Sequence, residues 1–209
     1  MKILIADDHA IVRKGLIGLL RQEFMSAEIQ EATNSAEVIE KARSQTWDLI
    51  LLDISMPGRS GVETLSQLRA DGVKAPILML SMQPEDQYGV RVLKAGASGF
   101  VNKESATEEL IGAVHKVLSG RKYISETIAE KLAEASSPDG IKLPHESLSN
   151  RELEVLQQIA SGKTITEIAE EISLSVNTIS TYRTRILEKL GLHNNAELTR
   201  YAIDNGIVV

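Results

Sequence analysis

Hydrophobic and polar positions change rhythm along the chain. Up to about residue 120, short apolar runs alternate with helical patterns. The runs are Lys2–Ala6, Glu28–Ala32, Leu49–Asp53, Pro76–Ser81 and Gly99–Asn102. Leu49-Ile50-Leu51-Leu52 is continuously apolar, as a strand covered on both faces requires. Val62–Arg69 and Leu110–Leu118 carry helical spacing; in the second, Leu110, Ile111, Val114, Val117 and Leu118 share one face. Alternation of this kind predicts an α/β fold with a doubly wound parallel sheet over residues 1–120.

After Gly120 the rhythm is lost. Thr127–Ala135 predicts a short helix, and Ser136-Ser137-Pro138-Asp139-Gly140 is a cluster of turn formers, so 121–147 is expected to be a linker. From Leu148 to Val209 no strand pattern remains. Four closely spaced helices are predicted there, two of them opened by the capping boxes Ser149-Asn150-Arg151-Glu152 and Thr164-Ile165-Thr166-Glu167. The expected organisation is therefore an α/β domain (1–120), a linker (121–147) and a small all-α domain (148–209).

Composition narrows the chemistry. With 43% hydrophobic and 25% charged residues, the 209-residue chain has the balance of a globular protein, which excludes collagen-like and disordered classes. Aromatics are 3%, so the core is aliphatic and stacking platforms for single-stranded nucleic acid are disfavoured. The absence of cysteine removes disulfides, thiolate catalysis and Cys-based zinc sites. His9, His115, His145 and His193 are too scattered in sequence to suggest a histidine cluster. No apolar run has the length of a membrane span, and the first run ends at Asp7 and Asp8, so a cytoplasmic protein without membrane contact is expected.

Asp7 and Asp8 follow the first run, Asp53 closes the third, Ser81 closes the fourth and Lys103 follows the fifth. In a parallel sheet these positions all lie at the carboxyl ends of strands, the edge where open α/β folds bind ligands. With strand order 2-1-3-4-5, three carboxylates, a hydroxyl and an ammonium converge. Clustered carboxylates call for a cation, and a small hard ion that takes oxygen ligands, Mg²⁺, fits best. One carboxylate could then act as a nucleophile towards a phosphoryl group. Singly, each residue has an ordinary role, such as Asp as a helix N-cap or Lys as a solvated cation. Their joint placement is harder to assign to chance.

Residues 1–120 resemble the receiver domain of two-component response regulators. The resemblance lies in Ile5-Ala6-Asp7-Asp8-His9, Leu51-Leu52-Asp53-Ile54-Ser55-Met56-Pro57-Gly58, the run ending at Ser81, and Gly96-Ala97-Ser98-Gly99-Phe100-Val101-Asn102-Lys103. It implies a flavodoxin-like (βα)5 fold, Asp53 as phosphoacceptor, and Mg²⁺ held by Asp7, Asp8, Asp53 and the backbone carbonyl of Ser55. It further implies Ser81 and Phe100 as a switch pair and Lys103 as the phosphoryl contact. Met82 stands where many receivers have Ala or Gly, and Phe100 where Tyr is frequent.

In the last domain, Ile165, Ile168, Ala169 and Ile172 share a helix face. The tight turn Ser173-Leu174-Ser175 then leads to a longer helix with the apolar stripe Val176, Ile179, Ile186 and Leu190. Two helices joined this closely suggest a helix-turn-helix whose second helix enters the DNA major groove; a plain helical packing unit is the alternative. Leu148-Ser149-Asn150-Arg151-Glu152-Leu153-Glu154-Val155-Leu156, Ile168-Ala169, Thr178-Ile179-Ser180 and Ile186-Leu187-Glu188-Lys189-Leu190-Gly191 resemble the LuxR-type DNA-binding domain. The full chain is thus similar to NarL/FixJ-type response regulators.

That resemblance implies double-stranded DNA as partner, with Ser180, Thr181 and Thr184 facing base edges and Thr178, Tyr182, Arg183, Arg185 and Lys189 at phosphates. It also implies a sensor histidine kinase or small phosphodonor, a homodimer in the active state through Leu198, Tyr201 and Ala202 of the last helix, and RNA polymerase as a further partner. The expected function is regulation of transcription, not enzymatic turnover. A Mg²⁺-dependent phosphohydrolase is disfavoured because Ser55, not an acid/base carboxylate, stands two residues after Asp53. A phosphorylation-independent regulator is disfavoured by the complete Asp/Asp/Asp/Ser/Lys set.

The net charge of −6 argues at first against nucleic acid. Even residues 148–209 hold 6 basic against 8 acidic side chains. Yet 178–193 contain Arg183, Arg185 and Lys189 against Glu188 alone, a local excess of +2, and phosphate contact depends on the local patch.

Overall fold

A computed structural model describes residues 1–56, 59–82, 85–134 and 143–208. Pro57 and Gly58 of the receiver motif, the turn formers 136–140 and Val209 lie outside them. The chain divides into two compact units, Met1–Ser137 and Pro138–Val209.

The first unit alternates strands and helices: β1 (Lys2–Ala6), α1 (Ala10–Glu23), β2 (Glu28–Ala32), α2 (Ser35–Ser44), β3 (Leu49–Asp53), α3 (Gly61–Ala70), β4 (Ile77–Ser81), α4 (Glu85–Lys94), β5 (Gly99–Asn102) and α5 (Ala106–Leu118). The strands form one parallel sheet in the order β2-β1-β3-β4-β5, the doubly wound α/β fold expected. Every residue of β3 and β4 is buried, which accounts for their unbroken apolar runs. β2 is an edge strand, and its Glu28, Gln30 and Glu31 put polar groups where an open edge would otherwise invite pairing. On one face, Leu16, Ile17 and Leu20 of α1 and Leu110, Val114 and Val117 of α5 pack on Ile3, Ile5, Leu49, Leu51, Leu78 and Leu80. Pro76 lies just outside β4, but its carbonyl still accepts from Ile50 N at 2.9 Å.

The chain does not leave this unit at residue 120. Tyr123 forms a parallel bridge with Gly99, and α6 (Glu126–Glu134) packs on α4. Both fall in the stretch predicted as linker.

The second unit begins with a short 3₁₀ turn, Pro144–Ser147, followed by α7 (Asn150–Ala160), α8 (Ile165–Glu171), α9 (Val176–Leu190) and α10 (Asn195–Asp204). Both expected capping boxes form, Ser149 with Glu152 and Thr164 with Glu167, each satisfying amide groups that a helix start leaves open. Leu153, Leu156, Ile168, Ala169, Ile172, Ile179, Ile186, Leu198 and Ala202 are buried in this unit, in which α7 packs on α8, α9 and α10, and α8 packs on α9. The turn between α8 and α9 places Ser173 at φ 55°, the left-handed region, and Ser175 then caps α9 by accepting from Thr178 N at 3.1 Å.

Candidate functional site: an acidic strand-end pocket and an exposed helix face

Because the sheet is parallel, its strand ends deliver Asp7, Asp53, Ser81 and Lys103 to one edge. Lys103 Nζ lies 2.8 Å from Asp7 Oδ2 and 2.7 Å from Asp53 Oδ2. All three side chains are nearly inaccessible, with Lys103 3% and Asp53 1% exposed. Asp53 Oδ1 accepts from the Ser55 amide at 3.2 Å, and Asp7 Oδ1 from the His9 amide at 2.8 Å. Asp8 is partly exposed and 2.8 Å from His9 Nδ1. Ser81 is buried, and its carbonyl accepts from Lys103 N at 2.8 Å, which fixes the start of the lysine's own loop. Phe100, buried in β5, pairs in register with Met79 of β4.

The charges set one another. Burial pushes the Asp53 carboxyl up to about 6, against the pull of Lys103 and with a further push from Asp7. Burial works to lower the Lys103 ammonium, but Asp53 and Asp7 outweigh it and hold the group above its ordinary value. Asp7 Oδ2, Asp8 Oδ1 and Asp53 Oδ2 are buried oxygens without a well-aligned hydrogen bond among the described residues. Their contacts to Lys103 and His9 meet the distance of an ion pair but not hydrogen-bond alignment. One ligand atom each from Asp7, Asp8, His9 and Asp53 falls within a sphere of mutual distances no greater than 4.8 Å. Under-satisfied carboxylate oxygens at this spacing suit a hard divalent cation. His9, set aside in sequence for want of other histidines nearby, joins the carboxylates instead.

Two supporting residues carry no signal in the strand-end pattern. Arg13 of α1 donates from Nη1 to the Asp7 carbonyl at 2.7 Å and from Nε to Glu31 Oε2 at 2.6 Å, bracing the turn that bears the acidic pair. Gly61 opens α3 so close to β3 that a Cβ there would sit 2.1 Å from the Asp53 carbonyl oxygen. Neither is legible until the fold brings its partner near.

In the second unit, Asn177, Ser180, Thr181, Thr184, Arg185 and Glu188 form one exposed face of α9. Thr181 and Thr184 donate back to the carbonyls of Asn177 and Ser180, at 2.9 and 3.1 Å, so their hydroxyls lie along the helix. Thr178 and Tyr182 are half-buried, and Thr178 shares a hydroxyl contact of 2.8 Å with Ser175. Arg183 donates to Asn195 Oδ1 at 2.5 Å, and Lys189 to Glu152 Oε2 at 2.6 Å. Two of the three cations on this helix are thus engaged within the unit, while Arg185 is exposed. Val176, expected in the buried stripe, is 44% exposed because it is the first residue of the helix, next to the cap. Leu198 and Ala202, expected at a dimer contact, are instead fully buried against this unit's own core, where α10 packs on α7. Tyr201 Oη accepts from His145 N at 3.3 Å.

An acidic strand-end pocket on a five-stranded parallel α/β sheet, followed in the chain by a helix-turn-helix, is the arrangement of a regulator with a receiver and a DNA-binding domain. Residues 3–115 match the response regulator receiver domain and residues 146–202 the bacterial regulatory proteins of the luxR family, and the chain belongs to the LuxR-type response regulators. It is 33% identical to "Response regulator UvrY" of Escherichia coli strain K12 over 208 residues, 99% of this chain and 95% of the relative. It is 32% identical to "Response regulator GacA" of Pseudomonas aeruginosa over 209 residues, 100% of this chain and 98% of the relative. Among solved structures it is similar to RcsB from Salmonella enterica serovar Typhimurium bound to promoter rprA in the presence of phosphomimetic BeF3⁻, with 27% identity, TM-score 0.63 and 96% of this chain covering 98% of that one. The protein is a response regulator of transcription, not an enzyme. No helix among the described residues is long and apolar enough to cross a membrane.

Proposed function

We propose that Asp53 is the phosphoacceptor through which a sensor histidine kinase, or a small phosphodonor, controls binding of α9 to double-stranded DNA in the cytoplasm. The observation that carries this reading is the meeting of Asp7, Asp53 and Lys103 at 2.7–2.8 Å in a buried pocket at the strand ends. Asp7, Asp8, Asp53 and the Ser55 carbonyl would hold Mg²⁺. Once bound, the ion supplies neutralisation of the charge on the transferred oxygens.

An Asp53 carboxylate oxygen forms a bond to phosphorus, and the bond from phosphorus to the donor breaks, its electron pair leaving with the donor. Lys103, already within ion-pair distance of Asp53, supports the phosphoryl oxygens, and the Ser81 hydroxyl donates to one of them. Drawing Ser81 inward makes room for Phe100, and the α4–β5 face is remodelled. The exposed side chains of α9 then meet DNA, with Ser180, Thr181 and Thr184 at base edges and Arg185 at the backbone. Thr178, Tyr182, Arg183 and Lys189 lie at its flanks. The active form is a homodimer matched to an inverted repeat, from which RNA polymerase is recruited or excluded.

The test is selection of bound promoter fragments with and without a phosphodonor and Mg²⁺. The full chain should take up one phosphoryl group and gain affinity for a defined set of fragments. Asp53→Ala should do neither. Equal binding by both proteins under both conditions would refute the switch.

A further inference from the structure

The chain that follows α5 folds back onto the very face that the switch would move. Tyr123 N donates to the Ser98 carbonyl at 2.8 Å, and the bridge to Gly99 adds a short step to the sheet beyond β5. Tyr123 Oη donates to Glu109 Oε2 at 2.9 Å, and Lys116 Nζ lies 5.5 Å from the centroid of the tyrosine ring. α6 then crosses to α4, where Ile128 is fully buried. Its seat is Gly89 of α4: a Cβ at that position would stand 2.5 Å from Ile128 Cδ1 and 2.6 Å from Cγ1. The glycine is therefore a socket, and Ile128 is the plug.

The socket is built on the parts that the proposed switch would move. α4 packs directly on β5, and Phe100 follows Gly99 within β5. A rearrangement of Phe100 thus acts on both anchors of this segment, the Tyr123 bridge through the backbone of β5 and the Ile128 seat through α4. Ile128 is the one fully buried side chain of α6 among the described residues, and a fit as close as its seat on Gly89 is sensitive to a small shift of α4.

We propose that residues 121–134 are a strap that reads the switch, seated on Gly89 while Asp53 is unphosphorylated and unseated from α4 when it is phosphorylated. While seated, the strap covers part of the α4–β5 face; unseating uncovers it. This inference rests on the phosphoacceptor reading of Asp53.

The absence of native cysteine allows a clean test. Lys94→Cys on α4 and Glu130→Cys on α6, both exposed positions, carry a spin-label pair in the full chain. Electron–electron dipolar distances are measured before and after treatment with a phosphodonor and Mg²⁺, with intact mass confirming uptake. A shift to longer and broader distances on phosphorylation supports the strap. Ile128→Ala should give that shift without phosphodonor, whereas Ile128→Val should keep the short distance. Unchanged distances in protein shown to be phosphorylated would overturn the strap and leave Asp53 as phosphoacceptor. Failure to take up a phosphoryl group would overturn both.

Discussion

Asp53 is a carboxylate that the fold makes costly to ionise. Its own burial raises it to about 6, and Lys103 only partly offsets this. A carboxyl raised in the folded state favours folding in its protonated form. Its contribution is therefore present below the unfolded value, near 3.8, and is lost as pH rises through about 6. Asn cannot ionise, so in chelator Asp53→Asn should be more stable than the parent above that point, by about 2–3 kcal/mol. The gap should narrow as pH falls from about 7 towards 4. Urea unfolding at a series of pH values measures it, and a gap independent of pH would contradict this account. Added Mg²⁺ should narrow the gap from the other side by stabilising the parent.

At the scale of elements, what was legible in sequence is what depends on local order. Continuous apolar runs marked β3 and β4, and Ser-x-x-Glu and Thr-x-x-Glu marked the starts of α7 and α8, because both signals lie within a few residues. The strand ends gave the pocket, since parallel pairing aligns them. What stayed hidden depends on neighbours distant in the chain. Leu198 and Ala202 form an apolar pair that reads equally as a dimer face or a core face until α7 is seen against them. Lys189 reads as a free cation until Glu152, 37 residues earlier, is found 2.6 Å away.

That ion pair also makes a prediction. Glu152 is nearly buried and accepts from Ser149 N at 2.7 Å as well as from Lys189. Burial alone would raise its carboxyl, but Lys189 and the Ser149 groups outweigh this and hold it below its ordinary value. Its stabilisation is thus present above the unfolded value and lost as pH falls through the lower folded one. Glu152→Ala should destabilise the second unit by about 1–3 kcal/mol at neutral pH, with Glu152→Gln intermediate. Helical circular dichroism during thermal unfolding of the full chain reads the loss. Equal stability of all three proteins would show the cap to be inert.

At the scale of the whole molecule, the net charge of −6 no longer argues against DNA, but it limits how DNA can be held. Of the three cations on α9, Lys189 is exposed but paired with Glu152 and Arg183 is bonded to Asn195, while Arg185 is exposed on the helix face that carries Ser180, Thr181 and Thr184. On the proposed reading, so few phosphate contacts per copy would give weak non-specific binding, and affinity would come from joining two copies on one site. The salt dependence of binding then separates the three cations. Each phosphate neutralised contributes roughly 0.9 to the slope of log affinity against log salt, so Arg185→Ala should flatten the slope by about 0.9 per copy bound. Lys189→Ala should change it less, because that ammonium must first leave Glu152. Arg183→Ala should fall between, since its partner is a neutral amide. The measurement is a salt titration of the phosphorylated full chain on a selected promoter fragment and on unrelated DNA, since a phosphate contact weakens both alike. If Lys189→Ala flattened the slope as much as Arg185→Ala, the pairing with Glu152 would not restrain that lysine on DNA, and the single-cation account of this interface would fail.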